Sequence, residues 1–159
     1  MIDSHSHTIY SKHAEGTVDQ LVRASVEAGV KVLTITDHAP FYIDKSNRLL
    51  ESELEKYFSD IENARTAYRD EISLFCGLEF DYMPGAEEFT SSLLSRYPLD
   101  FSLGSIHYVS LRNDELVKVW ELGKISAPQF LQRYIDSMKE LIESGLFDAV
   151  GHADCILRG

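Results

Sequence analysis

Runs of apolar, β-branched residues alternate along this chain with runs whose apolar residues recur at helical spacing. That alternation constrains the fold more than any other feature. Residues 30–36 (Val-Lys-Val-Leu-Thr-Ile-Thr) are predicted to form a buried strand. Residues 2–7, 72–80, 101–109 and 147–151 read as further strands, and 115–122 as an excursion strand. Thr17-Val-Asp-Gln20 has the form of a capping box, with Val18, Leu21, Val22, Ser25 and Val26 behind it and Gly29 as the stop. Leu54, Tyr57, Phe58, Ile61, Ala64 and Tyr68 line one face of a long helix, and a short helix is expected near 86–97. Ser126-Ala-Pro128-Gln129 is a second capping box. Its helix carries Phe130, Leu131, Tyr134, Ile135, Met138, Leu141 and Ile142 and ends at Gly145. Strands and helices in this order imply an α/β fold of parallel strands joined by right-handed crossovers, either a doubly wound sheet or a barrel.

At 159 residues there is room for one domain, residues 1–159. The formal net charge is −11, which speaks against nucleic acid or an anionic membrane as a partner. No run is long enough to span a bilayer, and Met-Ile-Asp-Ser-His at the N-terminus lacks the charged and apolar regions of a signal peptide. Two cysteines, Cys76 and Cys155, stand in unrelated contexts and indicate no disulfide framework. The expectation is a soluble, cytoplasmic, acidic protein. Cys76 is expected to be a buried small hydrophobe, and a structural role is favoured for Cys155 over a ligand role.

The polar residues at the strand ends choose between the two architectures. The five main strands close, in order, with His5 and His7; Asp37 and His38; Glu79 and Asp81; His107; and His152 and Asp154. His13 lies in the loop just after the first strand, and none of the six histidines falls on an expected helix. In a barrel, functional side chains gather at the C-terminal ends of the strands. Each motif has an ordinary explanation by itself. His5-Ser-His7 is a common surface pattern, although residues i and i+2 share a strand face and can grip one ion. His13 alone is a plain surface histidine. Asp37 and His38 alone are a polar strand end, and Glu79 alone needs no more than a lysine or arginine partner. His107 and His152 alone are core histidines bonded to carbonyls. Joint placement at one end favours a centre for Zn²⁺, Fe²⁺ or Mn²⁺, for which imidazole and carboxylate are the ligands. No Gly-rich phosphate loop and no Gly-x-Ser-x-Gly elbow is present.

Taken in order, Asp-Ser-His5-Ser-His7-Thr, Ser-Lys-His13-Ala-Glu-Gly, Thr-Asp-His38-Ala-Pro, Gly-Leu-Glu79-Phe-Asp-Tyr, Gly-Ser-Ile-His107-Tyr and Gly-His152-Ala-Asp resemble the PHP (polymerase and histidinol phosphatase) superfamily, and within it the histidinol-phosphatase branch. The resemblance implies a distorted TIM-like (βα)₇ barrel with up to three divalent ions at its C-terminal mouth. It implies that His5, His7 and Glu79 hold one ion, that Glu79 bridges to a second held by His107 and His152, and that His13 and His38 bind the third. The family's last motif, Asp-x-His, is missing after His152. A βα barrel takes about 250 residues, so the chain is expected to be a partial PHP domain truncated after about five strands. A shortened chain, an incomplete gene product and a protein completed by a second chain or by self-association over the open edge are all consistent with that. The Glu79, His107 and His152 site keeps its full ligand set, and the other two each lack one.

The reaction implied is metal-dependent hydrolysis of a phosphate monoester, with L-histidinol phosphate of histidine biosynthesis as the substrate. The attacking group would be a metal-bound water held by the cluster. Asp37 and Asp154 are assigned to catalysis, and Asp3, Asp37, Asp81 and Asp154 are candidates to orient the imidazoles. Lys12, Arg112 and Arg158 are candidates to hold the phosphate, with solvated surface charge as an equal explanation. The alternatives are another PHP phosphoesterase, including the nuclease type, and a catalytically dead module that binds metal or a partner. Low turnover of this form is expected, because of the missing motif.

Overall fold

A computed structural model of the chain describes residues 1–110, 115–121 and 127–158. The chain divides into two compact units, Met1–Glu79 with Leu99–Ser102, and Phe80–Pro98 with Leu103–Gly159.

In the first unit, β1 (Ile2–Ser6), α1 (Val18–Glu27), β2 (Val32–Ile35), α2 (Leu54–Ala67) and the body of β3 (Ser73–Asp81) follow one another. β1 pairs with β2 and β2 with β3, both in parallel, with Ile2 opposite Val32 and Val32 opposite Ser73. Parallel neighbours need a crossover, and α1 and α2 supply it. The capping box that starts α1 is present: the Thr17 hydroxyl accepts from the Gln20 amide and the Gln20 side chain accepts from the Thr17 amide. Helix α1 buries Val18, Val22 and Ser25, and α2 buries Leu54, Tyr57, Ile61 and Ala64. A fully buried tyrosine must place its hydroxyl, and Tyr57 donates to the Gly77 carbonyl of β3 at 2.7 Å. Burial pushes the Cys76 thiol up to about 12, as expected of an inert small hydrophobe. Asp100 ties the start of β4 (Phe101–Ser105) to β3, with its amide donating to the Cys76 carbonyl and its carboxylate accepting from the Cys76 amide, both at 2.8 Å.

The second unit holds the tip of β3, α3 (Glu87–Arg96), the end of β4, β5 (Tyr108–Ser110), β6 (Leu116–Lys118), α4 (Ala127–Ser144) and β7 (Ala149–Val150). β7 pairs in parallel with β4, Leu103 opposite Ala149. The strand order is therefore β1-β2-β3-β4-β7. Ile106, Val109, Val117, Val119, Phe130, Tyr134, Leu141 and Cys155 form the core of this unit together with Tyr82. Cys155 thus takes the structural role.

The expected strand over 101–109 is a correction. β4 ends at Ser105, and Tyr108–Ser110 turns away to pair antiparallel with Leu116–Lys118. The Val119 amide donates to the His107 carbonyl at 3.0 Å and anchors the hairpin at the break. A continuous apolar run does not reveal a change of partner, because both segments are buried. The last strand shrinks from 147–151 to two residues. The second capping box begins at Ser126, outside the described residues. Pro128 stands in the first turn of α4. Among the described residues no helix is long and apolar enough to cross a membrane.

Gly77 in β3 has no room for a side chain. A Cβ there would stand 2.8 Å from the Phe101 carbonyl oxygen and 2.9 Å from the Thr36 methyl. Backbone cannot yield as a flexible side chain does, so Gly77→Ala is expected to cost roughly 1–3 kcal/mol. A lowered midpoint in urea unfolding with an unchanged slope checks it, and an unchanged midpoint would show that the strands can spread.

Candidate metal centre

Each unit carries ligand-type side chains. In the first, parallel pairing continues past the end of β2. The Glu79 amide donates to the Asp37 carbonyl at 3.0 Å and the Ala39 amide to the Glu79 carbonyl at 2.8 Å. This lays His38 beside Glu79. The Glu79 carboxylate has no exposed surface. Its Oε2 lies 3.2 Å from His5 Nε2, 3.3 Å from His7 Nε2 and 3.1 Å from His38 Nδ1. His5 Nε2 and His7 Nε2 are 3.1 Å apart, which is what alternation along β1 predicts for residues i and i+2. His7, His13 and His38 each offer a nitrogen, all within 4.8 Å of one another. His13 arrives through a tight turn in which Lys12 takes a left-handed backbone, φ 63°.

Whether these donors fit a metal ion can be tested on their spacing. Ligands at about 2.0–2.1 Å from a tetrahedral ion stand about 3.3 Å from each other. The His5, His7 and Glu79 atoms are separated by 3.1–3.3 Å. Lone pairs this close repel one another, and a divalent cation satisfies all of them at once. Residues and spacing fit.

Behind these donors lies a second layer. Asp37 is fully buried and accepts four hydrogen bonds, from the amide and hydroxyl of Thr8 (2.7 Å each) and from the amide (3.1 Å) and hydroxyl (2.6 Å) of Ser11. Burial raises its carboxyl above the ordinary value, against the downward pull of those four donors. Ser11 Oγ also lies 3.0 Å from His7 Nδ1 and accepts from the His38 amide at 3.0 Å.

In the second unit, His107 Nδ1 lies 2.8 Å from Asp81 Oδ1, and both side chains are buried. The carboxylate accepts the Nδ1 hydrogen and turns the Nε2 lone pair outward. His152 Nε2 stands 3.2 Å from it, again the edge of a coordination tetrahedron. His152 carries a φ of 20°, an uncommon value for a side-chain-bearing residue. Tyr134 fastens the turn behind it, donating to the Ala153 carbonyl at 2.9 Å. Burial pushes the Tyr134 hydroxyl up to about 12, so it keeps that proton. The exposed Trp120 sets its ring edge-on to His107, with centroids 6.1 Å apart.

The remaining candidates are placed as follows. Asp3 accepts from the His5 amide (3.2 Å) and the Ser6 hydroxyl (2.8 Å), so it braces the end of β1 rather than the His5 ring. Asp154 is exposed. Lys12 pairs with Glu53 at 2.5 Å. Arg112 lies outside the described residues, and of Arg158 only the backbone is described, in the closing turn Cys155–Arg158. Thr8, Ser11 and Trp120 were not singled out by the sequence. A Thr and a Ser at fixed distance after His-x-His were the available signal for two of them.

If Asp81 sets the His107 ring, Asp81→Ala is expected to weaken zinc binding about 10–100-fold without unfolding the chain. Competition with a colourimetric chelator measures this. Unchanged affinity would reduce the pair to a packing contact.

A family model described as "PHP domain" matches residues 3–159. A protein named "Probable histidinol-phosphatase" from Deinococcus radiodurans is 31% identical over 159 residues, covering 97% of this chain and 60% of its own. "Histidinol-phosphatase" from Bacillus subtilis is 31% identical over 122 residues, covering 70% of this chain and 45% of its own. A crystal structure of histidinol phosphate phosphatase from Lactococcus lactis, complexed with zinc, L-histidinol and phosphate, superimposes with a TM-score of 0.85 at 20% identity. It covers 99% of this chain and 59% of its own, and at that identity the likeness concerns the fold. The chain thus spans about half to three-fifths of the length of the relatives it matches. With six motifs in order, imidazoles and a buried carboxylate at coordination spacing, and a family match from residue 3 to residue 159, this chain belongs to the PHP domain family.

Proposed function

We propose that this chain is a metal-dependent phosphomonoester hydrolase, or the metal-holding part of one, with histidinol phosphate as its substrate. The observation that carries the proposal is the buried Glu79 oxygen, faced by three imidazole nitrogens at 3.1–3.3 Å. In this reading His5, His7 and Glu79 hold one ion, His13 and His38 another, and His107 and His152 a third. Divalent ions supply a hydroxide-generating Lewis acid near neutral pH and positive charge for the phosphoryl oxygens.

The protein's own residues do the rest. Asp81 holds the His107 ring and Asp37, through Ser11, faces the His7 ring. A net charge of −11 is no obstacle to an anionic substrate, because the local field at such a site is that of the ions. Lys12 is engaged with Glu53 and would have to exchange that partner to reach a phosphate. Trp120 is exposed beside His107, with the Lys118 ammonium over its ring, and would offer the remaining aromatic surface to the planar ring of an imidazole alcohol. The names of the relatives support the substrate class.

The test is phosphate release from histidinol phosphate by the purified chain with Zn²⁺ or Mn²⁺. Release is expected to depend on added metal and to stop on chelation. Glu79→Gln is expected to lower it at least about 100-fold along with bound metal. Trp120→Ala is expected to raise KM about 10-fold with little change in kcat. Stoichiometric metal without turnover would instead favour the inert module. Cleavage of DNA would favour the nuclease type.

A further inference from the structure

The hydroxyl of Ser11 has one proton and three neighbours. Its Oγ lies 2.6 Å from Asp37 Oδ1, 3.0 Å from the His38 amide nitrogen and 3.0 Å from His7 Nδ1. The amide can only donate. Asp37 Oδ1 already accepts the backbone N–H of Thr8 at 2.7 Å and of Ser11 at 3.1 Å, and neither bond can reverse. That oxygen is therefore an acceptor, and the short contact to it takes the Ser11 proton. The other oxygen is held in the same way. Thr8 donates its hydroxyl proton to Asp37 Oδ2 at 2.7 Å and accepts from the Tyr10 amide at 3.3 Å.

With its proton committed, Ser11 Oγ meets His7 Nδ1 as an acceptor, so the hydrogen sits on Nδ1. A neutral imidazole has one N–H, and its other nitrogen is then a bare lone pair. That nitrogen is Nε2, the atom 3.3 Å from Glu79 Oε2. The sequence offers only the spacing, a serine four residues after His7, and does not show where its proton goes. We propose that Ser11, backed by Asp37, is a positioning residue that fixes the tautomer of His7 and leaves the Nε2 lone pair on the Glu79 side. The use of that lone pair for a cation rests on the function proposed above, whereas the tautomer belongs to the chain itself.

The experiment is ¹⁵N NMR of the whole chain labelled at histidine, free of metal and at a pH where His7 is neutral. The wild-type spectrum should show the hydrogen on His7 Nδ1. Ser11→Ala should move it to Nε2 or mix the two forms, and should weaken Zn²⁺ binding about 10–100-fold in chelator competition. Ser11→Thr keeps a hydroxyl and should restore both. A wild-type His7 with its hydrogen on Nε2 overturns the proposal whether or not the alanine variant folds. So does a folded Ser11→Ala with the same tautomer and the same zinc affinity. The Nδ1–H form in a wild-type chain that takes up no zinc would support the role of Ser11 and count against the metal-dependent function instead.

Discussion

A carboxylate with no exposed surface closes the first unit's part of strand β3. Such a charge is expensive to bury without compensation, and its Oε2 is faced by nitrogens of three imidazoles, a donor set that a divalent cation would satisfy. They come from three places: the end of β1, the turn after it, and the segment beyond β2. Parallel pairing is what brings them together, because it ends neighbouring strands at the same height. The ladder between residues 37–39 and Glu79 carries that pairing past the last formal residue of β2. The register of a few backbone hydrogen bonds thus decides where the candidate ligands lie.

Both units repeat one physical device. A buried aspartate stands behind a histidine and determines which ring nitrogen faces outward. Asp81 does this directly for His107, and Asp37 acts on His7 through the hydroxyl of Ser11. The indirect version costs more buried polar groups, and each of them is paired. Thr8 and Ser11 both spend their protons on Asp37. A network satisfied throughout holds its geometry, whereas one missing a partner would be a liability.

The chemistry and the charge of the protein are separate matters. The acidic surface repels polyanions at long range, while a cluster of neutral imidazoles and one carboxylate can hold enough cationic charge to reverse the field locally. Family membership accounts for the fold. In the proposed reading, side chains beyond the donors would select the substrate, and Trp120, exposed and edge-on to His107, is one of them.

Periodicity was enough to place α1 with its cap, α2, the strands that carry His5 and Glu79, and the strand that leads to Asp37. These are local properties: a Thr and a Gln three apart, an apolar run, an alternating pair of histidines. Chain order also made the six motifs legible as a family pattern. Other features depended on partners distant in sequence. The break after Ser105 appears only when Tyr108–Ser110 finds Leu116–Lys118. Of the four aspartates named as imidazole-orienting candidates, only tertiary contacts separate Asp81 and Asp37, which back histidine rings, from Asp3, which braces a strand end, and Asp154, which is exposed. Residue types and spacing establish that donors are available. Where a hydroxyl proton goes, and so which nitrogen a histidine presents, is settled by distances of about 3 Å between residues that the sequence does not place side by side.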